Sequence, residues 1–313
     1  MVDKQRVDEA TGTKTVGHEW DGIEELDTPM PRWWLWTLYA TIFWALIYVV
    51  LYPAWPMVNS ATEGVLGWSS RGDYEKAVAM RETELEPIRQ ALVNTDIHKL
   101  PNNPELLNNA IQGGRSAFKV HCVQCHGSGA AGSKGYPNLN DDEWLWGGDM
   151  AAIEYTLVHG IRNPDHPETR FSLMPAFGRD GILQANEIED LVSYVRVISG
   201  REKQSGSATR GAGLFGTNCA VCHGSDAKGD RTQGAPDLTD AINLYGLDRA
   251  SINDTITNSR NGVMPRWGHR LDASTIRMLT AYVHSLGGGE DAPVEQEVAS
   301  EEAVTETPED EQS

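Results

Sequence analysis

The sequence predicts an all-α protein in which one membrane-spanning helix precedes two tandem copies of a small helical unit. Three observations predict this fold. A long apolar stretch without charged side chains lies near the N-terminus, a Cys-x-x-Cys-His motif occurs twice, and the residues around the two motifs repeat. No run of alternating apolar and polar residues indicates a sheet.

The apolar stretch runs from Trp33 to Trp55. At about 1.5 Å per residue, a helix of this length covers a hydrocarbon core of about 30 Å. Tryptophan and tyrosine occur at both ends, as in the aromatic belts of membrane-spanning helices. A cleaved signal peptide would have a shorter apolar region followed by small residues, whereas proline and tryptophan follow here. We therefore predict a transmembrane helix at 33–55.

The Cys-x-x-Cys-His motif uses all four cysteines of the chain. Cysteines three residues apart lie on one side of a helical turn, where both sulfurs reach the vinyl groups of one porphyrin. The next residue, histidine, then points its imidazole at the iron. A tetrahedral zinc site would also use paired cysteines, but it would leave the histidine unexplained in both copies. The motifs predict two covalently bound haem c groups. Their attachment residues are Cys122, Cys125, Cys219 and Cys222, and their iron ligands are His126 and His223.

A Met-Pro-x-aromatic-Gly sequence follows each motif and begins at Met174 in the first copy and Met264 in the second. A thioether is a soft, neutral donor that suits iron alternating between two charges. Because the sequence recurs, we interpret both methionines as second axial ligands rather than core filler. The remaining histidines near the motifs do not recur at matching positions, and we interpret them as surface or structural residues. They are His159, His166 and His269.

The pairing of methionines with irons stays open. Loop length favours local pairing, in which His126 shares its iron with Met174 and His223 with Met264. Tandem units that pack on each other could instead exchange their Met loops. Crossed pairing would then join His126 to Met264 and His223 to Met174.

The repeat extends well beyond the haem motifs. In each copy an opening helix carries a glycine and a phenylalanine, a Gly- and Pro-rich loop follows the motif, and an apolar helix closes the unit after the methionine. Matching residues in the two copies are Gly114 and Gly211, Phe118 and Phe215, Pro137 and Pro236, and Tyr194 and Tyr282. Each unit is small, so the haem must supply much of its buried apolar surface.

The net charge of −19 is concentrated at the chain ends. Residues 287–313 are rich in glutamate, contain no basic residue and are expected to be disordered. Haem is attached to Cys-x-x-Cys-His proteins outside the bacterial cytoplasm, which orients the membrane helix. The predicted segments are a cytoplasmic N-terminus (1–32), the membrane helix (33–55), a periplasmic connector (56–104), two haem units (105–200 and 201–286) and the acidic tail (287–313). No phosphate loop, nucleophile-base constellation or basic surface for nucleic acid is visible.

The segment from His18 to Trp36 and the Tyr-Pro-Ala-Trp-Pro sequence at 52–56 resemble the N-terminus of the di-haem subunit, subunit III, of cbb3-type cytochrome c oxidases. The resemblance continues through both haem units. It implies two all-α cytochrome c domains that use the attachment residues and axial ligands named above. It also implies that loop carbonyls near Pro137 and Pro236 accept hydrogen bonds from the haem histidines.

The resemblance further implies a role in the inner membrane of a bacterium. The chain would pass electrons from a soluble or membrane-bound cytochrome c donor to a mono-haem cytochrome c subunit and then to the catalytic haem-copper subunit of a proton-pumping oxidase. Two six-coordinate irons leave no position for oxygen, so we expect no catalysis by the chain alone.

Three other functions share the haem motifs. A free-standing membrane di-haem carrier and the cytochrome subunit of a periplasmic dehydrogenase have no reason to carry the 18–36 segment. A di-haem peroxidase would require one iron to lose its methionine.

Overall fold

The computed structural model describes residues 5–291, so most of the predicted acidic tail lies outside the described residues. The chain divides into two compact units, one before and one after the boundary between Glu84 and Leu85. Each unit is described by itself. The described residues are mostly helical, which confirms the predicted fold class, and sheet is confined to one short hairpin.

The hairpin lies in the first unit and was not predicted. Strand β1 (Thr15–Trp20) pairs antiparallel with β2 (Ile23–Leu26). Between the strands, Asp21 and Gly22 have φ angles of 52° and 85°, the left-handed conformation that a two-residue hairpin turn requires. The Asp-Gly pair was the available sequence signal for this hairpin.

Helix α1 (Arg32–Leu51) is the apolar helix of the first unit. An 18-residue window of this helix has a mean hydropathy of 1.8, and none of its 20 residues is buried against protein. It ends before the predicted boundary at Trp55 because Tyr52 precedes Pro53 and adopts an extended conformation. The last carbonyls accept backbone hydrogen bonds from Val65 and Leu66. The helix is long and apolar enough to cross a membrane.

The second unit contains short helices joined by long loops. Helix α2 (Ser70–Asn94) leads into it, and a 3-10 helix (Ile97–Asn102) follows. The others are α3 (Pro104–His121), α4 (Val123–His126), α5 (Met150–His159), α6 (Ala185–Ile198), α7 (Gly206–Asn218), α8 (Ala220–His223), α9 (Arg249–Asn258) and α10 (Ala273–His284). The repeat is visible here, because α7, α8, α9 and α10 correspond to α3, α4, α5 and α6.

These helices pack in two groups that do not follow sequence order. Helix α10 packs on α3 and α5, and α4 continues from α3; we call these four helices group A. Helix α6 packs on α7 and α9, and α8 continues from α7; these form group B. The opening helix of the first repeat therefore packs on the closing helix of the second repeat.

Both helix crossings depend on a glycine. A Cβ atom at Gly114 in α3 would overlap the backbone carbonyl of Met278 in α10. A Cβ at Gly211 in α7 would overlap the carbonyl of Asp190 in α6. A pair of aromatic rings packs beside each crossing, with centroids 5.3 Å apart in group A and 5.2 Å apart in group B; the pairs are Phe118 with Tyr282 and Tyr194 with Phe215.

The residues beside the two glycines differ in chemistry. In group B, the Arg210 guanidinium donates two hydrogen bonds of 2.7 Å to the buried carboxylate of Asp190. At the matching positions of group A, the side chain of Met278 packs against Gly113. A charged pair thus joins α7 to α6, while an apolar pair joins α3 to α10.

We predict that Gly211→Ala lowers the free energy of unfolding by about 1–3 kcal/mol, because the added methyl group forces α6 and α7 apart. Gly213 lies in the same helix, and nothing lies within 4 Å of a Cβ placed there. Gly213→Ala should instead stabilise the protein by up to about 1 kcal/mol, since alanine favours a helix over glycine. Denaturant unfolding of the haem-loaded protein measures both. Equal effects would contradict a close crossing at Gly211.

Candidate haem sites

Each Cys-x-x-Cys-His motif begins where an opening helix ends. The amide of Cys122 bonds to the carbonyl of Phe118 at the end of α3, and His126 bonds back to Cys122, so that the motif forms one further helical turn, α4. Cys219 follows α7 in the same way. All four cysteines are free. Burial raises the pKa of the Cys122 and Cys219 thiols to about 11, helped by the neighbouring cysteine.

Both motif histidines are held by a loop carbonyl. His126 donates from Nδ1 to the carbonyl oxygen of Pro137, and His223 donates to that of Pro236, each at 3.1 Å. A carbonyl only accepts, so Nδ1 carries the proton and Nε2 keeps its lone pair. Burial lowers the pKa of both histidines, which favours the neutral imidazole. This is the form that binds iron, and the donor set therefore fits haem.

Met264 lies in group A. It packs in the apolar cluster that contains Cys122 and the buried Phe118. Its amide and carbonyl bond to the carbonyl and amide of Ile161, just after α5, at 3.0 and 2.9 Å. Further along the same Met loop, the Trp267 amide donates to the Leu157 carbonyl in α5. A Met loop from the second repeat is thus fixed beside the first Cys-x-x-Cys-His motif.

Met174 occupies the equivalent place in group B. It packs in the cluster that contains Cys219 and the buried Phe215. The Met174 amide donates to Oδ1 of Asn261 at 3.2 Å, and its carbonyl accepts from the Ser259 hydroxyl at 2.6 Å. Both partners follow α9, just as Ile161 follows α5. A Met loop from the first repeat is thus fixed beside the second motif.

The two methionines are therefore exchanged between the repeats. Loop length favoured the local pairing, but the clusters bring Met264 to the Cys122 side and Met174 to the Cys219 side. The helix packing explains this exchange. Met264 precedes α10, which packs in group A, and Met174 precedes α6, which packs in group B.

The other histidines have polar partners or lie at the surface. His159 Nδ1 lies 2.7 Å from His166 Nε2 and 3.2 Å from a carboxylate oxygen of Glu168. Arg266 donates to His166 Nδ1 at 3.2 Å, so His166 donates from Nε2 to His159. These hydrogen bonds agree with the structural role predicted for the two histidines. His269 is exposed.

The loops that follow the two motifs meet at a junction between groups A and B. The Gly135 amide donates to the Leu244 carbonyl at 2.9 Å. Glu143 from the first repeat shares a hydrogen bond with Asp240 from the second. Burial, followed by the bond to Asp240 and the repulsion between the two charges, raises the pKa of Glu143 to about 7.

Two family models match the chain. The model described as the N-terminal domain of cytochrome oxidase-cbb3, FixP, matches residues 12–59. The model described as cytochrome c oxidase, cbb3-type, subunit III matches residues 109–195 and again residues 206–283. The second model thus matches both repeats, and each match is a domain that binds c-type haem.

Curated relatives are similar to this chain over nearly their whole length. A Cereibacter sphaeroides protein named cbb3-type cytochrome c oxidase subunit CcoP is 53% identical over 276 residues, which cover 88% of this chain and 95% of the relative. A subunit FixP from Bradyrhizobium sp. is 50% identical over 294 residues, covering 92% and 100%. A subunit FixP from Azorhizobium caulinodans is 51% identical over 289 residues, covering 91% and 96%.

We predict that the thermal stability of the protein falls as pH rises from about 5 to 8, in part because Glu143 must lose a proton. Its pKa is raised in the folded state, so the stability it contributes is complete below its ordinary pKa of about 4.5 and is lost as pH passes about 7. Glu143→Gln should flatten this part of the Tm-against-pH curve and raise Tm at pH 8. Asp165→Asn, at an exposed loop carboxylate, serves as the control. Parallel curves for wild type and Glu143→Gln would contradict the raised pKa.

Proposed function

Because the chain belongs to the cbb3-type cytochrome c oxidase subunit III family, we propose that it carries electrons from a cytochrome c donor to the oxygen-reducing part of such an oxidase. It does so as a membrane-anchored subunit with two covalently bound haem c groups. The observation that carries this proposal is that each helix group holds one histidine with a free Nε2 and one methionine fixed beside the same motif. Each group thus offers two axial ligands to one iron.

We assign the ligands in the crossed arrangement. In group A, Cys122 and Cys125 attach the first haem, and His126 and Met264 bind its iron. In group B, the corresponding residues are Cys219, Cys222, His223 and Met174. The apolar clusters and the backbone bonds of the two Met loops support this pairing. The sequence repeats 105–200 and 201–286 each attach one haem and exchange the halves that follow their motifs.

A haem iron with two protein ligands supplies one-electron transfer, and His/Met ligation gives it a higher reduction potential than two histidines would. The chain keeps these ligands in place. The carbonyls of Pro137 and Pro236 fix the tautomer and ring orientation of the two histidines. Ile161 holds the Met264 backbone, and Ser259 holds that of Met174. Ligation therefore need not change when an electron arrives or leaves.

We also propose that the chain is not itself an oxidase, because each iron would take two side-chain ligands. A histidine and a methionine on each iron would leave no position for oxygen or peroxide, and we therefore assign the reduction of oxygen to the catalytic haem-copper subunit. A di-haem peroxidase would need to release one methionine. The backbone hydrogen bonds on both Met loops oppose such a release.

The partners follow from the family. The named relatives are subunits of cbb3-type oxidases, and the coarse conclusion is that the chain works with other subunits of such an oxidase. We further propose that it delivers electrons to the mono-haem cytochrome c subunit and receives them from a soluble or membrane-bound cytochrome c. The apolar surface of α1, in which no residue is buried, supports contact with lipid and with helices of the other subunits.

We propose that α1 anchors the chain in the bacterial inner membrane with residues 1–32 in the cytoplasm. Residues from 56 onward, including both haem units, then lie in the periplasm. Attachment of haem to Cys-x-x-Cys-His motifs outside the cytoplasm supports this orientation.

The crossed pairing predicts which haem each methionine contacts. In the reduced, diamagnetic protein, nuclear Overhauser effects should connect the Met264 ε-methyl group to the haem bound by Cys122 and Cys125. The Met174 methyl group should connect to the haem bound by Cys219 and Cys222. Met264→Leu should remove only the first set of signals and make that iron five-coordinate when reduced.

Met278→Leu is the matched control, since it changes a methionine that packs on α3 and leaves the proposed ligands intact. Contacts between Met174 and the haem of Cys122 would overturn the crossed assignment. If substitution removed neither methionine signal, axial ligation itself would be overturned.

Electron relay predicts a simple division of activities. The purified chain should take up two electrons from excess reduced cytochrome c and should consume neither oxygen nor peroxide. After gentle solubilisation of membranes, it should elute with a large oxidase subunit that does consume oxygen. An oxidase containing Met264→Leu should lose cytochrome c-dependent oxygen uptake. Peroxide turnover by the isolated wild-type chain would instead favour the peroxidase, and elution without an oxidase would favour a free-standing carrier.

A further inference from the structure

Two histidines outside the proposed ligand sets form a hydrogen-bonded pair beside the first haem site. His159 is the last residue of α5, and His166 lies in the loop between α5 and Met174. His159 Nδ1 lies 2.7 Å from His166 Nε2, and the two ring planes differ by 7°. The side chains are mostly buried, with 18% and 16% of their surface exposed. One hydrogen bond thus joins two imidazoles that water reaches only at their edges.

The pair is the middle of a chain of polar groups that leads from solvent to a Met loop. At one end, a carboxylate oxygen of Glu168 lies 3.2 Å from His159 Nδ1 and 3.8 Å from His166 Nε2. This carboxylate is largely exposed. At the other end, Arg266 donates from Nη1 to His166 Nδ1 at 3.2 Å. Arg266 follows Met264 by two residues, so the chain ends beside a proposed iron ligand.

The arginine determines where the proton of His166 lies. A guanidinium only donates, so His166 Nδ1 must offer a lone pair, and the proton of the neutral ring lies on Nε2. His159 Nδ1 accepts that proton in a hydrogen bond. A metal ion shared by His159, His166 and Glu168 would need the Nε2 lone pair instead, and the charge of Arg266 would repel it. The arrangement therefore favours a role in proton binding.

Uptake of one proton would reverse this pattern. The incoming proton takes the lone pair on His166 Nδ1, and the proton on His166 Nε2 crosses to His159 Nδ1. One proton enters and none leaves, and the positive charge on His159 lies beside the Glu168 carboxylate. The new N–H on His166 Nδ1 then faces an N–H of Arg266. Two donors cannot bond to each other, so Arg266 loses its acceptor.

Other charged and titratable groups surround the pair. In α5, the Tyr155 ring lies 4.3 Å from the His159 ring, centre to centre, and its hydroxyl donates to the Glu168 carbonyl at 2.8 Å. The Arg170 guanidinium carbon lies 4.8 Å from the same tyrosine ring, and the exposed Asp165 precedes His166. Tyrosine, arginine and exposed carboxylates do not ordinarily change charge between pH 5 and 8, whereas histidine does. The histidine pair is the member of this cluster that responds in that range.

Group B holds its Met loop by groups of a different kind. Ala176 occupies the position of Arg266 in the Met-Pro-x-aromatic-Gly sequence. The Met174 backbone bonds to the side chains of Asn261 and Ser259, at 3.2 and 2.6 Å. An amide and a hydroxyl keep the same charge between pH 5 and 8. The two Met loops should therefore respond differently to acid.

We propose that His159 and His166 are positioning residues for Met264, which they hold through Arg266 until the pair takes up a proton. This inference rests on the proposed function, in which Met264 binds the iron of the first haem. After protonation, Arg266 releases its end of the loop. The two backbone bonds to Ile161 keep Met264 nearby, so the bond from sulfur to iron weakens while the loop stays folded.

The effect on the reduction potential has a distinctive sign. Thioether ligation raises the potential of a haem, so a weaker bond from Met264 lowers the potential of the first haem in acid. A proton that acted only through its charge would raise the potential, since positive charge favours the reduced iron. The second haem supplies an internal reference within the same molecule.

The test is nuclear magnetic resonance of the reduced, full-length, two-haem protein between about pH 8 and about pH 5, with potentiometric titration over the same range. In wild type, the ε-methyl signals of Met264 should lose most of their intensity as the pH falls, and those of Met174 should not. The midpoint potential of the first haem should fall with them, and that of the second haem should not.

Three variants locate the titrating group. His166→Gln keeps an acceptor for Arg266 and a donor for His159 but cannot take up a proton, so it should keep the Met264 signals at every pH. Arg266→Met removes the donor and should give the acid spectrum already at about pH 8. Glu168→Gln should move the transition to lower pH by about half a unit, because an amide stabilises the protonated pair less than a carboxylate does.

His269→Gln is the matched control. This histidine belongs to the same Met loop but is exposed. The variant should show the acid transition of wild type at the same pH.

The outcomes separate this inference from the proposed function. Met264 signals that stay constant in wild type, or an acid transition that persists in His166→Gln, would overturn it. So would equal loss of both methionine signals, which indicates general unfolding, and so would weak Met264 signals at every pH in His166→Gln, which indicate a purely structural role. If His166→Gln fails to accumulate, an unshifted transition in Glu168→Gln overturns the inference. A wild-type chain without haem, or without either methionine signal at about pH 8, would overturn the proposed function instead.

Discussion

The close crossing of α3 on α10 determines where the rest of the second unit lies. Because Gly114 has no side chain, the two helices approach until the Met278 backbone is in contact. Helix α10 follows the second Met loop, so this crossing carries Met264 to the first Cys-x-x-Cys-His motif. The matching crossing at Gly211 brings α6, and with it Met174, to the second motif. The positions of the two Met loops beside the motifs are consequences of helix packing.

Exchange of the methionines makes the two haem sites dependent on each other. Group A takes its histidine from the first repeat and its methionine from the second, and group B does the reverse. With the proposed ligands, separating the repeats would remove one ligand from each iron. The junction adds reciprocal contacts, because the Trp146 ring packs on Gly234 and the Tyr245 ring on Gly135. A subunit that passes electrons between two sites benefits from a fixed distance between them, and this arrangement supplies it.

Sequence reasoning found the parts that depend on local spacing. Each of these parts is recognisable from a short stretch of sequence, because covalent attachment, ligation and membrane burial impose short patterns. They are the two cysteine motifs, the repeated methionines and the apolar stretch. The hairpin also had a local signal, the Asp21-Gly22 pair at its turn. Its strands are short and do not show the alternating apolar pattern that would have supported a strand prediction. The stacking of the Arg170 guanidinium on Trp146 could not be found this way, since the two residues meet only after α5 and its following loop have folded.

The crossed positions of the two Met loops were hidden because the two repeats are alike, and loop length pointed to the local arrangement instead. Each doubling of a loop adds only about 0.6 kcal/mol of closure entropy, and crossing roughly doubles the chain between α3 and its partner. Local packing would set Asp190 opposite Gly113 and Arg210 opposite Met278, leaving a buried carboxylate without its guanidinium. Such a buried, unpaired group costs about 1–3 kcal/mol or more. The charged pair in group B and the apolar pair in group A therefore favour the crossed packing.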